Sequence, residues 1–412
     1  MRTVEVIAKS VLCVVAVLMM AITTSVSSLA APPAAIDGRV VGDQSRTRFV
    51  LDLTAEIEVN AFTLASPYRV VIDLPEVDFQ LPAGSGEGRG LIASWRYGGF
   101  AAGRSRIVLD ATGPVKIDKA FVLSAVAGQP ARLVVDLLKA TDVEFAAEQQ
   151  RTQLARETAN GEQSGGKSDR LPSPSDNSSR SKPLVIIDPG HGGIDAGTVA
   201  ADGTMEKDVV LALAKRLRDH LEATGKVAVM LTREDDTFVA LDDRVKFARD
   251  HVADLFISIH ADSEHVGEVR GATVYTLSDN ASDREAAALA SKENASDSNA
   301  GLSPTQRTDE VNDILTDLTR RETKNFSVFF ANGLVGDLSS TTRMIKNPHR
   351  SAGFRVLLAY DVPSVLLEIG YLSNEQDEKL LTSDEWRSRM ADAMTQAILR
   401  FLSQKSASLS PH

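Results

Sequence analysis

The chain has 412 residues with 45 basic and 56 acidic side chains, and its net charge of −11 argues against nucleic acid as a partner. A hydrophobic content of 43% over this length supports real cores in two or three domains. The single cysteine, Cys13, excludes an intrachain disulfide framework and leaves nitrogen and oxygen donors for any metal site.

Residues 1–30 are expected to be a secretory signal peptide, because Arg2 and Lys9 precede the apolar run Val11 to Ile22 and Ser28-Leu29-Ala30 has the form of a cleavage site. The run falls short of the roughly 20 residues that span a bilayer, so no stable membrane insertion is expected once it is removed. Residues 37–140 then carry a repeat. Arg48-Phe49-Val50-Leu51-Asp52, Arg69-Val70-Val71-Ile72-Asp73, Arg106-Ile107-Val108-Leu109-Asp110 and Arg132-Leu133-Val134-Val135-Asp136 share the form Arg, three apolar residues, Asp. Each reads as a short strand with solvated charged ends, and together they predict a small all-β sandwich.

Residues 142–182 are expected to be a flexible linker. Glu144 to Glu157 has the composition of a short polar helix, and the Ser, Gly, Asp and Pro that follow cannot bury themselves. Two independently moving domains are the expectation. From 183 to 403 strand and helix patterns alternate, which predicts an α/β domain with a largely parallel sheet flanked by helices. Helices are predicted at Met205 to Thr224, Leu241 to His251, Asn325 to Leu338 and Asp384 to Leu402, with strands at Val227 to Thr232, Gly271 to Leu277 and Val356 to Ala359. Residues 278–322 interrupt this alternation with a polar insertion.

Three buried-strand patterns end in chemistry-bearing residues. Leu184 to Ile187 leads through Asp188-Pro189-Gly190 to His191, Leu255 to Ile259 ends in His260, and Val365 to Leu367 ends in Glu368. Ligands gather beyond the carboxyl ends of strands in open α/β sheets, so this recurrence points to a metal-assisted hydrolase. Two histidines and a glutamate are a known zinc set, and Glu206, at the start of a helix, can supply the third ligand. An ordinary first-turn acid would look the same there. Glu368 is expected to act as general base toward water and then as acid toward the leaving group; the competing assignment is an ion pair with Arg244 or Arg355. His220, His251, His265 and His412 are expected to be solvated or structural, and His349 is a weaker candidate for facing substrate.

The strings VIIDPGHGGIDAG, EKDVVLALAKRL, LFISIHAD, GATVYTLS and VPSVLLEIGYLSN closely resemble the zinc-dependent N-acetylmuramoyl-L-alanine amidases of the AmiC type. Residues 37–140 resemble the AMIN domain that precedes many of them. The resemblance implies Zn²⁺ held by His191, Glu206 and His260, catalysis by Glu368, and hydrolysis of the amide joining N-acetylmuramic acid to L-alanine in peptidoglycan. It implies a periplasmic enzyme of cell-wall remodelling and daughter-cell separation, with a β domain that binds peptidoglycan or targets the septum. It also implies that the insertion at 278–322 covers the zinc cleft until a LytM-domain activator removes it. Glu293 is the best candidate for the inhibitory zinc contact. Two other readings compete: a catalytically inactive peptidoglycan-binding or scaffold protein, and a non-haem iron site, whose facial triad also uses two histidines and a carboxylate.

Overall fold

The computed structural model describes residues 31–126, 128–147, 149, 182–261, 270–302 and 314–409, so the expected signal peptide and nearly all of the expected linker lie outside the described residues. The β domain contains strands β1 (Ala34–Gly42), β2 (Arg46–Leu53), β3 (Asn60–Leu64), β4 (Arg69–Pro75), β5 (Asp78–Phe79), β6 (Glu87–Arg89), β7 (Ile92–Ala101), β8 (Arg104–Ala111), β9 (Val115–Leu123) and β10 (Ala131–Lys139). They form two sheets, ordered β5-β1-β2-β10-β9 and β3-β4-β8-β7-β6. The four repeats lie on the central strands, paired antiparallel so that Arg132 meets Asp52, Val134 meets Val50, Arg69 meets Asp110 and Val71 meets Val108. Strand alternation sends the second and fourth repeat residues, such as Phe49, Leu51, Val70 and Ile72, into the core between the sheets. It leaves Arg, Val and Asp together on each outer face.

The second domain is built on a six-stranded sheet ordered β12-β11-β13-β16-β14-β15. Its strands are β11 (Leu184–Pro189), β12 (Ala228–Leu231), β13 (Leu255–His260), β14 (Ala272–Leu277), β15 (Met344–Ala352) and β16 (Ser364–Glu368). The first four strands in that order run parallel, while β14 pairs antiparallel with β16. Odd positions Val185, Ile187, Leu255, Ile257, Val365 and Leu367 face one core, covered by α1 (Glu206–Ala223), α5 (Ile314–Leu338) and α7 (Asp384–Leu409). Even positions Leu184, Ile186, Phe256 and Leu366 face the other, covered by α2 (Leu241–Asp250) and α3 (Arg284–Glu293). The short helices α4 (Ser296–Asn299) and α6 (Glu375–Leu381) complete the domain.

Three expectations are corrected. Residues 356–359 are not a strand: Arg355–Leu357 is a 3₁₀ turn whose Val356 and Leu357 fill the core beneath α2, so their apolar run reflects burial rather than pleating. The strand is the polar segment Met344–Ala352 at the sheet edge, where one-sided pairing relaxes the demand for an apolar pattern. The helix expected from Asn325 begins at Ile314, inside the insertion.

The domains also do not stand apart, as the linker composition suggested. Residues 33–412 form one compact unit. Residues 142–147 are helical, with Phe145 buried against the Tyr68 ring, and a mixed cluster joins Val71 and Val108 to Ile194, Phe238 and Ala300.

Candidate metal centre

Strands β11, β13 and β16 are adjacent and parallel, and His260 pairs in register with Glu368. Their carboxyl ends therefore open at one edge, and alternation puts Asp188, His260 and Glu368 on the face covered by α2 and α3. His191 follows β11 with φ +57, a left-handed conformation that costs a non-glycine residue free energy. Arg244, fully buried, holds it there: its guanidinium donates to the His191 carbonyl at 2.7 Å, to Pro189 O at 2.9 Å and to Asp188 Oδ1 at 2.7 Å. Gly190 is required by the fold, because a Cβ there would lie 2.4 Å from His260 Cε1. The two imidazoles can thus approach to 4.9 Å between ring centroids.

Four donors converge at this edge. His191 Nε2 lies 3.2 Å from Glu206 Oε1 and 3.5 Å from Glu293 Oε2, while His260 Nδ1 lies 3.3 Å and 3.1 Å from the same two atoms. Neither nitrogen makes a hydrogen bond, although both are buried. Donors at the 2.0–2.2 Å typical of zinc would be separated by about 3.3 Å at the corners of a tetrahedron. The spacing and the orphaned nitrogens fit a metal ion, and the donor atoms of His191, His260 and Glu293 all lie within 4.8 Å of one another. Glu206, with no exposed surface, is fixed by Thr198 N at 2.9 Å and Ala261 N at 2.8 Å instead of capping its own helix. Glu368 is fully buried at the neighbouring strand end. Of the two arginines named as competing partners for Glu368, Arg244 pairs with Asp188, and Arg355 with Asp242 and Asp297.

Residues 185–400, more than half of the chain, match the family described as N-acetylmuramoyl-L-alanine amidase, and residues 36–137 match the AMIN domain. The chain belongs to the N-acetylmuramoyl-L-alanine amidase family. It is 34% identical to the N-acetylmuramoyl-L-alanine amidase AmiC of Escherichia coli O6:H1 over 92% of this chain and 91% of that one. It is 30% identical to AmiC of Neisseria meningitidis serogroup B over 92% and 93%. AmiA of Escherichia coli K12 is 37% identical over 53% of this chain and 76% of that one, all at amidase-domain length.

The electrostatics of the amidase site suit a cation. Burial lowers the His191 imidazole, yet Glu206, Asp195 and Glu293 hold its pKa well above the ordinary value. His260 is pushed up to about 10, burial being outweighed by Glu293 and Glu206. Glu206 is held well below the carboxylate range against its own burial by His191 and His260. Asp195 is likewise lowered to about 2 despite burial, chiefly by His191. A pocket whose carboxylates draw protons onto both imidazoles is one that a divalent ion neutralises instead.

Asp195 lies inside the string VIIDPGHGGIDAG without standing out there as a site residue, yet it completes the candidate centre. His191 Nδ1 is 3.0 Å from its carboxylate, so the proton belongs on Nδ1 and the Nε2 lone pair faces the cluster. Arg233 was equally hidden; it donates to Pro189 O at 3.0 Å and Gly190 O at 2.8 Å, fixing the loop from the opposite side to Arg244. The remaining described histidines are elsewhere. His220 pairs with Asp392, His251 with the Phe247 carbonyl, and His349 lies between Thr276 and Asn332. His265 and His412 lie outside the described residues.

The insertion of the amidase domain lies over this centre. Helix α3 buries Ala286, Leu289, Ala290 and Glu293, a stripe that continues from apolar residues into a carboxylate. Lys292 donates to Thr198 Oγ1 at 3.2 Å, Ser296 donates to Asp195, and Asp297 accepts from Leu241 N at 2.9 Å.

Proposed function

We propose that this amidase is a periplasmic, zinc-dependent and autoinhibited enzyme that cleaves the bond between N-acetylmuramic acid and L-alanine in peptidoglycan. The single observation that carries this reading is the convergence of His191 Nε2, His260 Nδ1, Glu206 Oε1 and Glu293 Oε2 at spacings of 3.1–3.5 Å, with Glu368 on the adjacent strand end. His191, Glu206 and His260 would hold the ion, and Glu293 would take the remaining place, which a water needs for catalysis. A bound zinc supplies a Lewis acid for the scissile carbonyl and lowers the pKa of the water it holds.

The chain's own residues do the rest. Asp195 holds the His191 tautomer, and the backbone amides of Thr198 and Ala261 keep Glu206 aimed. Glu368 accepts the proton of the attacking water as the C–O bond forms and then returns it to the departing L-alanine nitrogen as the C–N bond breaks. While α3 is seated, Glu293 occupies the water's place. An enzyme that cuts its own cell wall needs such restraint, and a LytM-domain activator is the partner proposed to lift the helix. Residues 1–30 direct export, and the AMIN domain binds peptidoglycan or targets the septum. No helix among the described residues is long and apolar enough to cross a membrane.

Metal analysis tests the reading. The purified chain should carry one zinc, lose peptide release from peptidoglycan on chelation and regain it with zinc, whereas His191→Ala should fail to rebind metal. A metal-free wild type that releases peptides would overturn the zinc assignment.

A further inference from the structure

The outer face of the β3-β4-β8-β7-β6 sheet holds residues 298–301 of the insertion. Arg69 donates to the Ser298 carbonyl, Arg96 to Asn299 O at 2.6 Å, and Arg106 to Ala300 O at 3.1 Å and Gly301 O at 3.2 Å. Four consecutive carbonyls, those of Ser298 and Asn299 at the end of α4 and of Ala300 and Gly301 just past it, are thus met by three guanidinium groups from the other domain, and Ser298 O also accepts from Gly301 N at 3.0 Å. Arg106 is pre-aimed, because Asp73 grips its Nε and Nη2 at 2.6 and 3.1 Å and the Phe100 ring lies 3.3 Å beneath it. Between the arginines, Val71 and Val108 pack on Ala300, and Gly301, at φ +73, fits because it has no Cβ; one there would lie 2.9 Å from Val71 Cγ2. The same domain touches the metal loop, since Ile194 donates to Gly99 O at 3.0 Å and Phe100 stacks on Phe238.

The sister face carries the same Arg, Val and Asp pattern on β2 and β10, with Arg48 gripped by Asp136 at 2.6 and 2.7 Å. There the arginine side chain is 49% exposed, against 6% for Arg106. One motif therefore appears twice, and one copy is buried under residues 298–301. Those residues follow within a few positions of Glu293 and Ser296, which touch His260 and Asp195. We propose that the β4/β8 face is an interaction surface for the run of carbonyls at and just past a helix end, that its occupant is this chain's own insertion, and that it latches the insertion closed over the metal centre. The β domain is then a brake component as well as a targeting module. The inference rests on the autoinhibition reading above.

The test uses the full chain loaded with zinc and two substitutions made from opposite sides of the contact, Val71→Glu and Gly301→Val. Val50→Glu makes the same chemical change on the sister face and serves as the control. Hydrogen exchange across 284–302 and the rate at which a chelator withdraws zinc are followed together with turnover of a soluble muramoyl peptide. The latch predicts exchange faster by about tenfold in both variants, with faster zinc loss and higher turnover, and no change in exchange or zinc loss for Val50→Glu. Thermal unfolding reports whether each variant is folded. Glu293→Ala separates the two ideas: if it speeds zinc loss and turnover while Val71→Glu and Gly301→Val, both folded, leave all three readouts at wild-type values, the latch is overturned and the autoinhibition stands. If Glu293→Ala is also without effect, the autoinhibition reading fails and takes the latch with it.

Discussion

Glu206 opens a helix as many acids do, yet its carboxylate is turned onto Thr198 N, Ala261 N and two imidazoles, the placement that the proposed ligand role requires and a dipole partner does not. Glu368 sits beside it with a different task, so the two should respond differently to substitution. Glu368→Gln is expected to keep its zinc and to lose roughly 10²–10⁴ of kcat on muramoyl peptides; zinc loss, or activity retained within a few fold, would sink its role as proton carrier. Asp188 supports the loop that carries His191. Although burial raises its pKa, Arg244, Thr232 and Ser258 hold it below the ordinary range. Its unfolded value is about 3.9, so the stability it contributes is fully present above that pH and is lost as pH falls through the lower, folded value. Asp188→Asn leaves Arg244 buried without its partner and should cost about 3–5 kcal/mol in urea unfolding at neutral pH, with a flatter dependence on acid. His191, His260 and Glu368 were legible in the sequence because each ends an apolar run. Asp188 and Arg244 were not read as a pair, since 56 residues separate them and nothing local marks the contact.

Among the elements, α3 is the one to which the proposed autoinhibition gives the regulatory weight. Its buried stripe Ala286, Leu289, Ala290 and Glu293 follows ordinary helical spacing, and Asp283 caps it by accepting from Ala286 N at 2.8 Å. Removing the cap costs about 1 kcal/mol, and that shifts a seated-to-unseated equilibrium about fivefold. Asp283→Ala should therefore raise basal turnover by about that factor without altering zinc content; an unchanged rate would mean that lifting α3 does not limit access. The strand ends and the helices α1, α2 and α7 followed from periodicity, which reports a one-sided core. The edge strand β15 and the 3₁₀ turn at Arg355–Leu357 escaped it, because one is pleated without being apolar and the other apolar without being pleated.

At the scale of the whole molecule, the two domains are joined at a second place besides the linker. A Ser-, Gly- and Pro-rich connection says that the connection is solvated; it says nothing of faces elsewhere that fit each other. The face in question was visible as the Arg-x-Val-x-Asp alternation, but a pattern with charged ends reads as solvent-facing until a partner is present. Val71 and Val108, between the arginines, were the available signal. The domains should accordingly unfold with mutual support: Phe238→Ala, which removes the ring stacked on Phe100, is expected to lower the melting temperature of the full chain by a few degrees and to loosen residues 98–101 in hydrogen exchange. Exchange that changes only near residue 238 would speak against the docking.

The most direct single measurement is release of peptides with a free L-alanine amine from purified peptidoglycan, comparing the zinc-loaded full chain with Glu293→Ala and with Glu293→Ala/Glu368→Gln. Low release by the wild type, a marked rise on Glu293→Ala and its abolition in the double variant are expected. A folded, zinc-bound Glu293→Ala that releases no more than the wild type, or a double variant as active as the single one, would contradict the centre described above.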